Sequence, residues 1–236
     1  MHKLVKHLLA QLCLAATFTS VAFAAADKAK LDERIRDATD VIHELISTPD
    51  KGIPLRVAAR ACCVIVVPGL KKAAFVVGAQ YGQGLATCRT PHGWSAPAFI
   101  LLTGASFGLQ AGAQSTDLVL VGVNRKSADD LLKEKIKLGG DIAAAAGPVG
   151  RNSQAAISAL ANAEFLSYSR SKGLFAGIDL TGDFINQNKE DTRTFYGREI
   201  DYKTILSGGV PAPPAARPFI AAVSRLFQTA KSEGRK

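Results

Sequence analysis

Between Asp50 and Asp117 the chain contains no aspartate or glutamate. Histidine is scarce as well: there are four, and His2 and His7 fall at the very start, leaving His43 and His92. That is little material for a histidine-based catalyst. The 21 Gly and 10 Pro follow no fixed period, which excludes collagen-like and repeat architectures. Beyond residue 24 no run is long and apolar enough to cross a membrane as a helix.

What is present describes a folded protein. Apolar residues make up 47 % of the 236 and charged residues 21 %, close to the globular average. Such a chain can bury enough apolar surface to offset its ordering entropy, so disorder is excluded. The length suits one large domain that hides roughly 70 % of its unfolded surface.

The N-terminus reads as an export signal. Lys3 and Lys6 form a positive start, residues 8–23 are uncharged and largely apolar, and Ala22-Phe23-Ala24 offers small residues for cleavage. The run is shorter than the ~20 residues a membrane helix needs. A cleaved signal over 1–24 is expected, leaving residues 25–236 as a single domain. Cys13 lies too early in the run for a lipoprotein. The signal is of bacterial type, so the expected location is the periplasm.

Loss of residues 1–24 would lower the net charge from +9 to +7. Lys51, Arg56, Arg60, Lys71, Lys72 and Arg89 all lie in the acid-free block, whose field favours anionic partners. Export argues against nucleic acid and leaves phosphate headgroups or acidic polymers. The plain alternative is a solvated basic surface.

Three cysteines, Cys62, Cys63 and Cys88, follow the signal. Disulfides persist in a periplasm. Cys62 and Cys63 are adjacent in a strand pattern and point to opposite faces, so at most one faces Cys88 easily. One disulfide from Cys88 to either, three buried thiols, or a zinc site completed by His92 are the readings left open. Divergent neighbours make the zinc site poor, and no metal is assigned.

Leu31, Ile35, Ala38, Ile42, Leu45 and Ile46 recur at helical spacing and predict an amphipathic helix over 27–47. A short turn of helix over 55–61 follows Pro54. Cys62 to Val67 reads as a buried strand closed by Pro68-Gly69. Residues 75–89, 97–114 and 118–123 read as three further strands, the first two spaced by glycine. A helix over 127–137 with Ser127 as cap, strands around 157–169 and 173–184, and a C-terminal helix over 217–230 complete the pattern. The order is α, many strands, then α. It predicts an α+β fold: a strongly curved, mostly antiparallel sheet or barrel flanked by N-terminal, middle and C-terminal helices.

Few motifs carry chemistry. Gly104-x-Ser106-x-Gly108 matches a hydrolase elbow, but no His follows Ser106 in the sequence to complete a triad. Asp179-x-Thr181-x-Asp183 has too few spaced oxygens for a calcium loop. No catalytic residue and no cofactor are assigned.

Taken together, an ordered series of segments resembles a known family. It runs from Lys71-Lys72-Ala73-Ala74-Phe75-Val76-Val77-Gly78 through Gly82-x-Gly84 and Arg89 to Gly93-Trp94-Ser95-Ala96-Pro97. Ser106-x-Gly108-x-Gln110-x-Gly112, Asp117-Leu118-Val119, Leu138-Gly139-Gly140-Asp141 and Gly147-Pro148-Val149-Gly150 follow, and Tyr168-Ser169-Arg170-Ser171-Lys172-Gly173-Leu174-Phe175 closes it. The series is similar to the SYLF lipid-binding domain family, also catalogued as actin-binding, over residues 31–206. The resemblance implies a non-enzymatic phospholipid-binding domain. Eukaryotic members bind phosphoinositides and some fungal members bind actin. In a periplasm neither ligand is expected, and the implied partner is another anionic phospholipid or a membrane surface. A structural or protein-interaction module of the envelope is the alternative.

One feature departs from the family. Some members meet membranes through a basic N-terminal helix, whereas residues 27–46 carry a net charge of −2. The acid-free block is the better candidate, with Lys71, Lys72, Arg89 and Trp94, joined by Arg170 and Lys172 of the later motif. At about 1 kcal/mol per cation, six would give roughly 6 kcal/mol, or a dissociation constant of tens of micromolar. Trp94 reads either as an interfacial anchor or as a packing residue.

Overall fold

The computed structural model describes residues 27–47, 52–149, 153–171 and 174–233. Residues 1–24, read above as an export signal, and Lys172 therefore lie outside the described residues. Helix α1 spans 27–47 and buries Leu31, Ile35, Ala38, Ile42 and Leu45 as its spacing predicts. Helix α2 (Leu55–Arg60) follows Pro54, whose carbonyl accepts from the Val57 and Ala58 amides.

Two very long strands dominate the sheet: β1 (Cys63–Thr90) and β3 (Ala98–Gly122), joined through β2 (Gly93–Trp94). They pair antiparallel from Cys63↔Gly122 to Ala86↔Ala98. A straight strand of 28 residues would reach roughly 90 Å. Instead the ribbon folds over itself. A Cβ on Gly82 would strike Val67 and Leu70, and one on Gly84 would strike the Val66 carbonyl. The second half of β1 thus lies against its own first half, and glycine at both positions permits the approach.

The predicted end of a strand at Pro68-Gly69 is corrected. The strand continues through a bulge there, with register shifts between Val67 and Leu70 and between Ala74 and Val76. Proline has no N–H for a ladder, and a bulge removes the need for one. Gly69 takes φ +60 and donates its N–H to Asp117 Oδ1 at 2.9 Å. Strand 62–67 and strand 75–89 are one element, as are 97–114 and 118–123.

Other boundaries also move. Helix α3 covers only Arg125–Asp130, and its cap is Asn124, whose Oδ1 accepts from the Ser127 amide. The segment predicted to continue it becomes strand β4 (Lys135–Lys137), because Ile136 is taken into the core. Strand β5 (Ala144–Ala146) precedes helix α4 (Ser153–Asn162), where a strand beginning at Ile157 was the expectation. Its Ala-rich sequence favours helix, and the strand starts only at β6 (Phe165–Ser171). Strand 173–184 is really β7 (Leu174–Gly177), a turn, and β8 (Phe184–Gln187). Two unpredicted helices follow, α5 (Lys189–Tyr196) and α6 (Tyr202–Leu206), and α7 spans Arg217–Glu233.

Among the described residues eight strands form one sheet, in which β5–β6 is the one parallel strand pair. With its flanking helices this is the curved α+β fold expected. Alternate residues face two cores. Val64, Val66, Val119 and Val121 meet Ile35, Ile42, Phe219 and Phe227 on one side. Ile65, Val67, Leu118 and Leu120 meet Ile136, Ile185 and Tyr202 on the other. Both faces are covered, which is why the sequence there is continuously apolar. Among the described residues no helix is long and apolar enough to cross a membrane.

The cysteine alternatives resolve. Cys63 is bonded to Cys88 with a Cα separation of 4.0 Å, and Cys62 is free. The bond ties the start of β1 to its end, clasping the folded ribbon. It removes Cys63 and Cys88 from any zinc site.

Candidate functional site

A polar recess lies where α1 crosses the folded ribbon. Lys30, Glu33, Arg34 and Asp37 sit at helical spacing on one face of α1, opposite Lys71, Tyr81 and Gln83 of β1. The cleft between them has a volume of about 390 Å³, with the Pro68-Gly69 bulge at its edge. Arg34 is its structural strut. One guanidinium nitrogen lies 2.5 Å from Asp191 Oδ2 and the other donates to Gln83 Oε1 at 2.7 Å. Its guanidinium carbon also lies 5.7 Å from the Phe99 ring centroid. Lys30 pairs with Asp27 at 3.2 Å in the open.

Lys71 is exposed at this cleft and, among the described residues, its ammonium forms no hydrogen bond or ion pair. Its neighbour in sequence faces elsewhere. Lys72 is half-buried near Asp183, and burial lowers its ammonium pKa while Asp183 works against that. Asp183 is 1 % exposed, and Gln80 donates to both its carboxylate oxygens. Burial pushes its carboxyl above the ordinary value, with Gln80 and Lys72 opposing. The block that is acid-free in sequence is therefore not acid-free in space.

Arg89 and Trp94 form a second, separate group. Arg89 Nε donates to the Ala61 carbonyl at 3.1 Å, and its guanidinium lies 4.8 Å from the Trp94 ring. Trp94 is 9 % exposed and packs 5.3 Å from Phe227. Arg170 lies beside the Gly69 edge of the cleft, since the Asp117 carboxylate accepts from both. It donates to Asp117 through Nε at 2.9 Å and forms an ion pair with Glu44, tying β6 to β3 and α1. Arg89 is engaged by the Ala61 carbonyl and Trp94, and Arg170 by Asp117 and Glu44.

The two weighed motifs take other roles. Ser106 lies within β3 opposite Gly78, with no strand-to-helix turn for a nucleophile elbow. Asp179 accepts from the Thr181 amide and hydroxyl at 2.8 and 2.6 Å, while Asp183 turns inward to Gln80. Sequence reasoning missed the carboxylates Glu33 and Asp37. Their helical spacing on one face of α1 was the available signal.

A curled α+β sheet with a polar cleft against its N-terminal helix is the class that these features define. Residues 103–226 match the family described as "Ysc84: Las17-binding protein actin regulator". The chain is 34 % identical over 204 residues to the rat "SH3 domain-containing YSC84-like protein 1", covering 86 % of this chain and 59 % of that protein. It is 32 % identical over 204 residues to the human protein of the same name. It is 39 % identical over 191 residues to "LAS seventeen-binding protein 3" of Saccharomyces cerevisiae, covering 78 % of this chain and 41 % of the yeast protein. The chain belongs to the Ysc84 family, the SYLF domain family that its motifs resemble. It spans less than two thirds of these relatives. The family description and the yeast relative's name describe binding and regulation.

Proposed function

We propose that this protein is a non-enzymatic phospholipid-binding protein of the cell envelope that meets an anionic bilayer surface. Lys71 carries the reading: it is a cation at an exposed cleft with no partner among the described residues, in a chain of net charge +9. Family membership supports a binding role, and residues 1–24 of the sequence support export. In that compartment actin is not expected as a partner.

The test is vesicle co-sedimentation with phosphatidylglycerol at low and high salt. Lys71→Glu alone is the informative variant. Reversing Lys72 as well would set a second carboxylate near Asp183 and confuse folding with binding. At about 1 kcal/mol per unit of charge, Lys71→Glu is expected to weaken binding by about 2 kcal/mol, roughly 30-fold. A Lys133→Glu/Lys135→Glu pair is expected to matter little, since Lys133 is paired with Asp130 at 2.6 Å and Lys135 lies over Phe184. Equal losses from both would reduce Lys71 to part of a generic basic surface. The relatives' names favour a second reading, a protein-interaction module. That reading gains if vesicles are ignored at every salt concentration.

A further inference from the structure

We infer that the cleft between α1 and β1 is a headgroup site for a phospholipid bearing a primary ammonium, of the phosphatidylethanolamine type, with Lys71 receiving the phosphate and Glu33 and Asp37 the ammonium. This rests on the phospholipid-binding reading: Lys71 still takes the phosphate that a bilayer presents, and the two carboxylates add an ethanolamine-type ammonium to what the cleft accepts.

The charges lining the cleft sort into two groups. Arg34 is spent on Asp191 and Gln83, and Lys30 is paired with Asp27. The side chains of Lys71, Glu33 and Asp37 have, among the described residues, no hydrogen bond or ion pair, although all three line the same recess. A cation on the β1 wall thus faces two carboxylates on the α1 wall, and they do not approach within the 4.0 Å of an ion pair. A ligand carrying a phosphate and an ammonium on a short bridge complements that arrangement end to end.

Asp37 has other carboxylates as neighbours on its side of the cleft. Partial desolvation, then Glu33 and Asp40, push the Asp37 carboxyl above its ordinary value, with Asp117 adding to the effect and Arg36 opposing it. An ammonium placed there relieves that repulsion. A primary ammonium can donate to both carboxylates, whereas a quaternary one has no N–H to donate. Tyr81, 49 % exposed at the same cleft, adds a ring face for the cation. The volume of about 390 Å³ falls in the range of small-ligand sites.

The experiment uses the purified protein and phosphatidylcholine vesicles doped equally with phosphatidylethanolamine or phosphatidylglycerol. The wild type is expected to bind the ethanolamine vesicles at least about fivefold more tightly than undoped ones. Glu33→Gln/Asp37→Asn is expected to abolish that gain and leave phosphatidylglycerol binding equal or tighter, with an unchanged thermal midpoint. Lys71→Gln is expected to weaken both. Phosphatidylglycerol binding that needs Lys71, with no ethanolamine gain or no effect of the carboxylate pair, overturns this inference alone. Failure to bind any vesicle overturns the broader reading with it. Free phosphoethanolamine that binds as tightly as the vesicles would make the ligand a soluble metabolite and overturn the lipid assignment.

Discussion

Gln80 and Asp183 stand 103 residues apart in sequence and meet in the interior, the amide of one donating to both oxygens of the other's carboxylate. Gly104, paired with Gln80 across the β1–β3 ladder, makes room for them. A Cβ at Gly104 would overlap Asp183 Oδ1 and crowd Gln80 Nε2. The contact ties the residue before β8 to the folded ribbon.

Gly104→Ala should therefore destabilise the fold by overpacking, by about 1–3 kcal/mol. Urea denaturation measures it. A variant as stable as the wild type would mean that Asp183 moves aside freely.

The buried carboxyl should also leave a signature in pH. The Asp183 pKa is raised in the folded state, so the native protein holds its proton more tightly than the unfolded chain. As pH rises from about the unfolded value of 3.8 through the higher folded value, that preference turns into a penalty. The stability of Asp183→Asn minus that of the wild type should increase over this window and level off above it. A difference that falls as pH rises would reverse the sign and show that the Lys72 and Gln80 contacts outweigh burial.

The Cys63–Cys88 bond closes a segment with a sequence separation of 25. Loop-closure entropy sets its stabilisation at about 3 kcal/mol. Cys88→Ser and chemical reduction should each cost about that amount in chemical denaturation, whereas Cys62→Ser should cost little. Equal effects from Cys62→Ser would mean that the adjacent thiol can take over the bridge.

Trp94 is the sole tryptophan, buried between Arg89 and Phe227. Its fluorescence should be that of an apolar site in the free protein and should not shift when vesicles are added. A shift on binding would place the ring at the bilayer instead. Of the two readings open in the sequence, the structure favours packing.

The chain's local chemistry determined a good deal by itself. Leu31, Ile35 and Ile42 recur at helical spacing because α1 has one face to bury, and that periodicity is visible without the fold. The unbroken run from Val64 to Val67 shows a strand covered on both faces. The ordered motifs around Trp94, Gly108 and Tyr168 pointed to the family. The joining of four strand patterns into β1 and β3 was not legible, because Pro68-Gly69 ends a strand or bulges it according to what pairs opposite. Helix α5 escaped notice because it is short and polar, although Phe195 is buried and Tyr196 donates to the Pro97 carbonyl. The acid-free block was real in sequence, but charges act through space. Folding placed Asp183 by Lys72 and set Glu33 and Asp37 across a cleft from Lys71. Which cations stay free was therefore decided by tertiary structure, since electrostatic partners are set by distance and burial and not by separation along the chain.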